Sequence, residues 1–210
     1  MKDLFTPVVS AAVIRRLPNY LRILDDLSQQ GIERISSSEL SEKIGYTASQ
    51  IRQDFNHFGG FGLQGYGYNI EYLKKEIRAI LGLNREYRIC VVGCGHLGYA
   101  VANFSNFYED SFVVASIFDA NPELIGQEIV GVKIQDVANM RQYLKENKMD
   151  IGVVTVPKSA AQEVADILVE GGVSGIWNFA PLNLTVPDDV VVNNVHLFDG
   201  LQSLTYYINH

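Results

Sequence analysis

The stretch Arg88-Ile89-Cys90-Val91-Val92-Gly93-Cys94-Gly95-His96-Leu97-Gly98-Tyr99 decides the fold. Its first five residues form a short apolar run of the kind that makes a strand buried on both faces. The run passes without a linker into three glycines spaced G-x-G-x-x-G, and residues 99–107 then read as a helix. That glycine spacing alone is weak evidence; between a strand and a helix each glycine has a task. Gly93 permits the tight turn, Gly95 lets the backbone approach a pyrophosphate, and Gly98 lets helix and strand pack closely. The helix amides then meet the phosphate charge.

The arrangement requires an acid about 20 residues further on, at the end of a second strand. Residues 112–118 are that strand and Asp119 ends it, placed to accept both ribose hydroxyls of an adenosine. A carboxylate repels a 2′-phosphate, so NAD(H) is preferred to NADP(H). Capping the following turn is the plainer role for Asp119. Further strand-helix units continue the rhythm: residues 150–156 are a strand, Ser159-Ala160-Ala161-Gln162 has capping-box spacing, and Gly175-Ile176-Trp177 is the next strand. Ligands of such sheets lie beyond the carboxyl ends of the strands. The expected cofactor contacts are therefore Gly93, Cys94, Gly95, His96, Leu97, Gly98 and Asp119, with Thr155, Val156, Pro157, Asn178 and Phe179 on the nicotinamide side. His96 is read as a loop or cofactor contact rather than a proton shuttle.

Upstream the pattern changes. Val13, Ile14, Leu17, Leu21, Leu24 and Leu27 give a helical stripe over residues 10–30, with Pro18 as an interruption that starts or kinks a helix. Ser36-Ser37-Ser38-Glu39 is a capping box opening a short helix that stops at Gly45, and Thr47-Ala48-Ser49-Gln50 repeats the spacing. The third helix, with Thr47 as its N-cap, carries Ile51, Phe55 and Phe58 inward. Two helices joined by a short glycine-containing turn are a helix-turn-helix, whose second helix enters the major groove of DNA. Its exposed candidates are Ser49, Gln50, Arg52 and Gln53, with Thr47 at the helix start. Five glycines within residues 59–68 then suit a tight β-hairpin wing, on which Gln64 and Tyr66 reach toward DNA. An amphipathic helix follows over residues 70–81.

Charge divides in the same way. Residues 1–85 hold 11 Lys+Arg against 9 Asp+Glu and are +2, whereas residues 86–210 hold 6 against 15 and are -9, which together give the net charge of -7. A polyanionic partner belongs with the first, because phosphate affinity comes from local cations. Cys90 and Cys94 match neither a disulfide framework nor a metal site and read as reduced, buried thiols. No stretch approaches the roughly 20 apolar residues of a membrane span, and residues 1–17 lack secretory-signal features, so the expected location is the cytoplasm and no membrane partner is expected. The expected fold is α/β: a winged helix-turn-helix domain (residues 1–84), a Rossmann-like, doubly wound parallel sheet (85–195) and a terminal helix (196–210). Leu197, Leu201, Leu204 and Ile208 form that helix's apolar stripe, which must be buried on its own domain or on a second subunit. About 110 residues of sheet leave no room for a substrate domain, so no enzyme is expected and no catalytic residue is assigned.

Several motifs occur together: Arg16-Leu17-Pro18-x-Tyr20-x-Arg22, Ile51-Arg52-x-Asp54-Phe55, Phe58-Gly59 and Gly65-x-Gly67-Tyr68-Asn69, then the Gly93-to-Gly98 fingerprint, Asn178-Phe179-x-Pro181 and Leu201-Gln202-Ser203-Leu204. In this combination the whole chain closely resembles the Rex family of redox-sensing transcriptional repressors. The resemblance implies a homodimer that binds inverted-repeat operator DNA through its winged helices and is released by NADH, with NAD+ competing. It also implies a terminal helix swapped between protomers, Arg16 paired with an acid in an interdomain network, and Tyr99 near the nicotinamide. The chain departs from the family at Leu63, Gln64 and Gln53, where cations are usual, and at His196, where an acid is usual; Asp199 is the substitute nearby. Outside the resemblance, a small NAD-dependent oxidoreductase and a CoA- or nucleotide-binding scaffold without a DNA role are the competing readings.

Overall fold

A computed structural model of the chain describes residues 10–58, 62–63, 66–104 and 111–209. Gln64, wing residues 59–61 and 65, and residues 105–107 of the expected helix lie outside them. The chain divides into Met1–Arg85 and Glu86–His210, one residue beyond the expected boundary.

In the first unit, α1 (Ala11–Gln29) begins at Ser10, whose side chain accepts from the Val13 amide, and it continues through Pro18 rather than starting there. Its buried face is Val13, Leu17, Tyr20, Leu21, Leu24 and Leu27. The expected stripe was therefore wrong at one place: Ile14 is 38% exposed and Tyr20 takes the inward position. A tyrosine is tolerated there because its hydroxyl finds a partner, described below. Helix α2 (Ser37–Ile44) has the full capping box. Glu39 accepts from the Ser36 amide at 2.8 Å and Ser36 from the Glu39 amide at 3.2 Å, and Gly45 ends the helix at φ 76°.

Helix α3 (Ala48–Asn56) starts at Thr47, which accepts from the Gln50 amide at 3.1 Å. Only half of the expected box forms, because the Gln50 side chain turns toward Asp54. Ile51 and Phe55 are buried, whereas Phe58 lies past the helix end and is half-buried. Strands β1 (Arg34–Ile35), β2 (Gly62–Leu63) and β3 (Gly67–Asn69) pair antiparallel in the order β1-β3-β2, and α4 (Ile70–Ile80) follows with Asn69 as its cap. Gly67 is required in the wing: its φ is +69°, and a Cβ would come within 2.8 Å of the Ile35 carbonyl oxygen. Phe55 is the centre of this core, edge-on to Tyr20 at 5.0 Å and to Tyr68 at 5.1 Å between ring centroids.

The second unit is a seven-stranded sheet in the order β10-β9-β8-β4-β5-β7-β6. The chain enters at its middle with β4 (Tyr87–Val92) and passes through α5 (His96–Phe104) to β5 (Phe112–Asp119). The hairpin β6 (Glu128–Ile129) and β7 (Val132–Asp136) closes that edge, and α6 (Met140–Glu146) leads back across the sheet. Then β8 (Ile151–Val154), α7 (Lys158–Glu170), β9 (Gly175–Asn178) and β10 (Val191–Asn194) build the other edge. All pairs are parallel except β6 with β7. Alternate residues of β4 face opposite layers: Cys90 and Val92 pack with Leu144 of α6 and Leu168 of α7, Ile89 and Val91 with Ala102 of α5. Successive strands are added on one side of β4 up to β6 and β7 and on the other side from β8 onward, and this reversal of strand order opens a crevice at the carboxyl ends of β4 and β8.

Two sequence readings needed correction in this unit. Helix α5 begins at His96, inside the glycine loop, rather than at Tyr99. The Ser159–Gln162 capping box does not form, since α7 begins at Lys158 after Pro157 and has no side-chain cap. Gln162 instead exchanges two hydrogen bonds with the Thr185 backbone, at 2.8 and 3.0 Å. The last helix, α8 (Leu197–Asn209), buries none of its described residues, so its stripe is not packed on its own unit. Among the described residues no helix is long and apolar enough to cross a membrane.

Candidate functional site

Two groups of residues carry the expected chemistry, one in each unit. In the first, Thr47, Ser49, Arg52 and Gln53 are exposed on the first turns of α3, and Tyr66 is 73% exposed on the wing. Arg52 also donates to the Ser37 hydroxyl at 2.9 Å, which ties the reading helix to α2. Gln50 does not belong with the exposed set. It is half-buried, and its Nε2 donates to Asp54 Oδ1 at 2.8 Å.

Asp54 is the residue that sequence reading left unassigned. Its side chain has no exposed surface, yet it accepts from Arg16 Nε at 2.6 Å, Arg16 Nη2 at 2.7 Å, the Tyr20 hydroxyl at 2.7 Å and Gln50. Burial pushes the Asp54 carboxyl upward, but the hydrogen bonds from Arg16, Tyr20 and Gln50 outweigh it and hold the group below the usual carboxylate range. The same contact raises Arg16, while burial first, and then Asp54, raise the Tyr20 phenol. A signal was available: Asp54 stands on the apolar face between Ile51 and Phe55, and Arg16 and Tyr20 lie one turn apart on α1. Within this unit Asp54 is thus the acid that faces Arg16. An open depression of about 470 Å³ adjoins the pair, lined in part by Ser10, Gln53 and His57.

In the second unit the glycine loop follows β4 directly. Gly93 has φ +90°, and a Cβ there would lie 2.8 Å from the Thr155 carbonyl oxygen; a Cβ on Gly98 would overlap the Gly93 carbonyl oxygen. Gly95 faces open space, with nothing within 4 Å of a Cβ built there. A turn held from below and bare above, at the start of α5, is a cradle for a pyrophosphate, so these residues fit a dinucleotide. Thr155 locks the cradle, its hydroxyl 2.6 Å from the Gly93 carbonyl and 2.9 Å from that of Val92.

The Asp119 carboxylate does cap its own turn, accepting from the Asn121 amide at 2.7 Å, and it also accepts a short bond from the Cys94 amide. Two of its roughly four lone-pair positions remain for a ribose. Cys94 contributes only its backbone: its thiol is buried, and burial followed by the Asp119 charge raises it to about 11. Burial raises Cys90 to about 12, so neither thiol is ionised at neutral pH.

His96 and Tyr99 are exposed and Leu97 half-buried on the first turn of α5. Val156 and Phe179 are half-buried and Pro157 exposed at the same carboxyl edge. Phe179 lies against Trp177 with ring centroids 4.6 Å apart. Asn178 was expected to touch the cofactor, but its side chain is buried and fully engaged with neighbouring protein groups. His196 and Asp199 flank the start of α8, both exposed. Among the described residues no cluster of ligating side chains could hold a metal.

Known proteins match both halves. A family described as "Putative DNA-binding protein N-terminus" matches residues 8–56, and one described as "CoA binding domain" matches residues 84–182. The redox-sensing transcriptional repressor Rex of Caldicellulosiruptor saccharolyticus is 52% identical over 96% of this chain and 92% of its own length. That of Clostridium beijerinckii is 55% identical over 96% and 95%. Among solved structures, RSP in complex with β-NAD+ and operator DNA matches with a TM-score of 0.89 at 51% identity, covering 97% of this chain and 94% of that one. RSP in complex with β-NADH gives 0.87 at 48%, covering 97% and 95%. A reading helix with its wing, a bare glycine cradle below an acid-capped strand, and relatives aligned along nearly the whole length lead to one assignment: the chain belongs to the Rex family of redox-sensing transcriptional repressors.

Proposed function

We propose that this protein is an NADH-responsive transcriptional repressor. A homodimer holds inverted-repeat operator DNA through its α3 helices and wings, NADH binding to the second units releases it, and NAD+ competes. The observation that carries this reading is that a 51% identical protein, matched over 97% of this chain, has been solved with both NAD+ and operator DNA. The reading gives Gly93, Gly95 and Gly98 to the pyrophosphate, Asp119 to the adenosine ribose, and Tyr99, Val156 and Phe179 to the nicotinamide side. Ser49, Arg52, Gln53 and Tyr66 are assigned to the DNA, and the protein works in the cytoplasm.

The exposed stripe of α8 supports exchange of this helix between protomers, since an apolar face of that length needs a covering surface. Arg16, Tyr99, His196 and Asp199 then form the switch, with His196 in place of the usual acid. A ligand moves a two-state dimer only by its differential affinity for the states, so NADH must favour the arrangement whose reading helices misfit the operator. Reduced nicotinamide is neutral and oxidised nicotinamide cationic; an aromatic edge built from Tyr99 and Phe179 disfavours burying the cation.

A gel shift with an inverted-repeat operator, titrated first with NADH and then with NAD+, tests the whole reading. Release by NADH and its reversal by excess NAD+ is the expected result. Retention of the operator at saturating NADH overturns it, and steady turnover of NADH with a carbonyl substrate would favour the oxidoreductase instead.

A further inference from the structure

Asn178 is the last residue of β9, and its side chain serves two neighbours at once. Toward its own loop, Oδ1 accepts from the Ala180 amide at 3.0 Å and Nδ2 donates to the Leu182 carbonyl at 2.7 Å. These bonds shape the turn that carries Phe179 at the cofactor edge. Toward the next strand, Nδ2 donates to Asn194 Oδ1 at 2.8 Å, and the Asn178 carbonyl accepts from the Val195 amide at 2.8 Å. An amide nitrogen has two hydrogens, so both directions are satisfied together.

What lies beyond Asn194 gives this link its interest. Strand β10 is at the edge of the sheet, pairs only with β9, and is largely exposed. Helix α8 starts at Leu197 and buries none of its described residues. The root of α8 is therefore anchored by the last rungs between β10 and β9, where Asn178 also holds the Phe179 loop. A shift in that loop moves the Ala180 and Leu182 groups that Asn178 grips, and the bond to Asn194 must follow or break.

We propose that Asn178 is a positioning residue that ties the loop at the cofactor edge to the root of the terminal helix, so that occupancy of the edge redirects α8. The proposal rests on the NADH-responsive reading above. Its test uses the full-length protein and Asn194, which is exposed and lies outside both binding sites. Asn194→Ala removes the acceptor on β10 and leaves the loop bonds of Asn178 intact; Asn194→Asp keeps an oxygen acceptor.

Three quantities are measured: NADH affinity by fluorescence titration, and operator affinity without NADH and at saturating NADH. For Asn194→Ala the first two stay within about twofold of wild type, while the NADH-induced drop in operator affinity shrinks about fivefold, the scale of one hydrogen bond. Asn194→Asp restores the drop. In ligand-free protein, amide exchange at Val195 quickens in the alanine variant and not in the aspartate variant. A wild-type drop in Asn194→Ala, unchanged exchange at Val195, or failure of Asn194→Asp to rescue overturns the link while leaving the repressor reading standing. Absence of any NADH-induced drop in the wild type overturns both.

Discussion

Each unit holds a fully buried polar side chain that bridges two of its elements, Asp54 in the first and Asn178 in the second, but the two do so by different physics. Asp54 in the first unit is a charge: its carboxylate joins α1 to the reading helix through Arg16, Tyr20 and Gln50. Asn178 in the second is neutral, and it joins one loop to one strand by amide hydrogen bonds. A buried charge is costly to leave unpaired, whereas a buried amide costs only the bonds it loses. The DNA-reading half is thus held by an interaction that responds to protonation, and the dinucleotide half by one that responds to geometry.

The strongest way to break this comparison is Asp54→Ala. It leaves Arg16 and Tyr20 without their acceptor, and is expected to cost the first unit about 3–4 kcal/mol. Operator binding should vanish while NADH binding survives, read by denaturant unfolding alongside both titrations. The pH dependence sharpens the contrast. Because Asp54 is held below its ordinary range, its contribution is complete above about pH 4 and is lost as the pH falls through the lowered value. Asp54→Asn should flatten that acid limb, and an unchanged limb would show that the charge is not what clamps α1 to α3.

Gly98→Ala comes next. Its Cβ overlaps the Gly93 carbonyl, so α5 must move away from the loop at about 2–3 kcal/mol. That corresponds to a loss of roughly 30- to 150-fold in NADH affinity, with operator binding intact. Asn178→Ala should lower the stability of the second unit by about 1–2 kcal/mol. Equal loss at pH 4 and pH 8 in thermal unfolding is the outcome that separates it from Asp54. The smallest effect concerns Val130, a β-branched residue held at φ 47° in the turn between β6 and β7. Asparagine suits that backbone, so Val130→Asn should stabilise by about 0.5–1 kcal/mol after the lost packing is counted.

How much of this was legible before the fold was known follows from the range of each interaction. The capping box at Ser36, the stop at Gly45 and the Gly93-to-Gly98 turn are local, decided within a few residues, and could be read directly. The burial of Asp54 was legible only in part: its place between Ile51 and Phe55 put it on the apolar face, but its partner Arg16 lies 38 residues away in the chain. Gln50 and Gln162 both had the spacing of a capping glutamine, and both were drawn off by better partners, Asp54 and the Thr185 backbone. Strands β6 and β10 went unread because short, half-polar edge strands lack the apolar run that marks β4 and β5.

The amino-acid order by itself determined the two-part division, the strand-glycine-helix cradle, the helix-turn-helix and the charge split between the halves, because caps, glycine conformations and apolar periods act over a few residues. Only the tertiary structure decided which polar side chains are spent inside the protein: Gln50 and Asn178 withdrawn from the surfaces they were expected to serve, Asp54 made the centre of the reading head, and the apolar face of α8 not buried on its own unit. Those outcomes depend on which distant groups compete for the same donors, acceptors and buried area, a competition settled when the chain closes on itself.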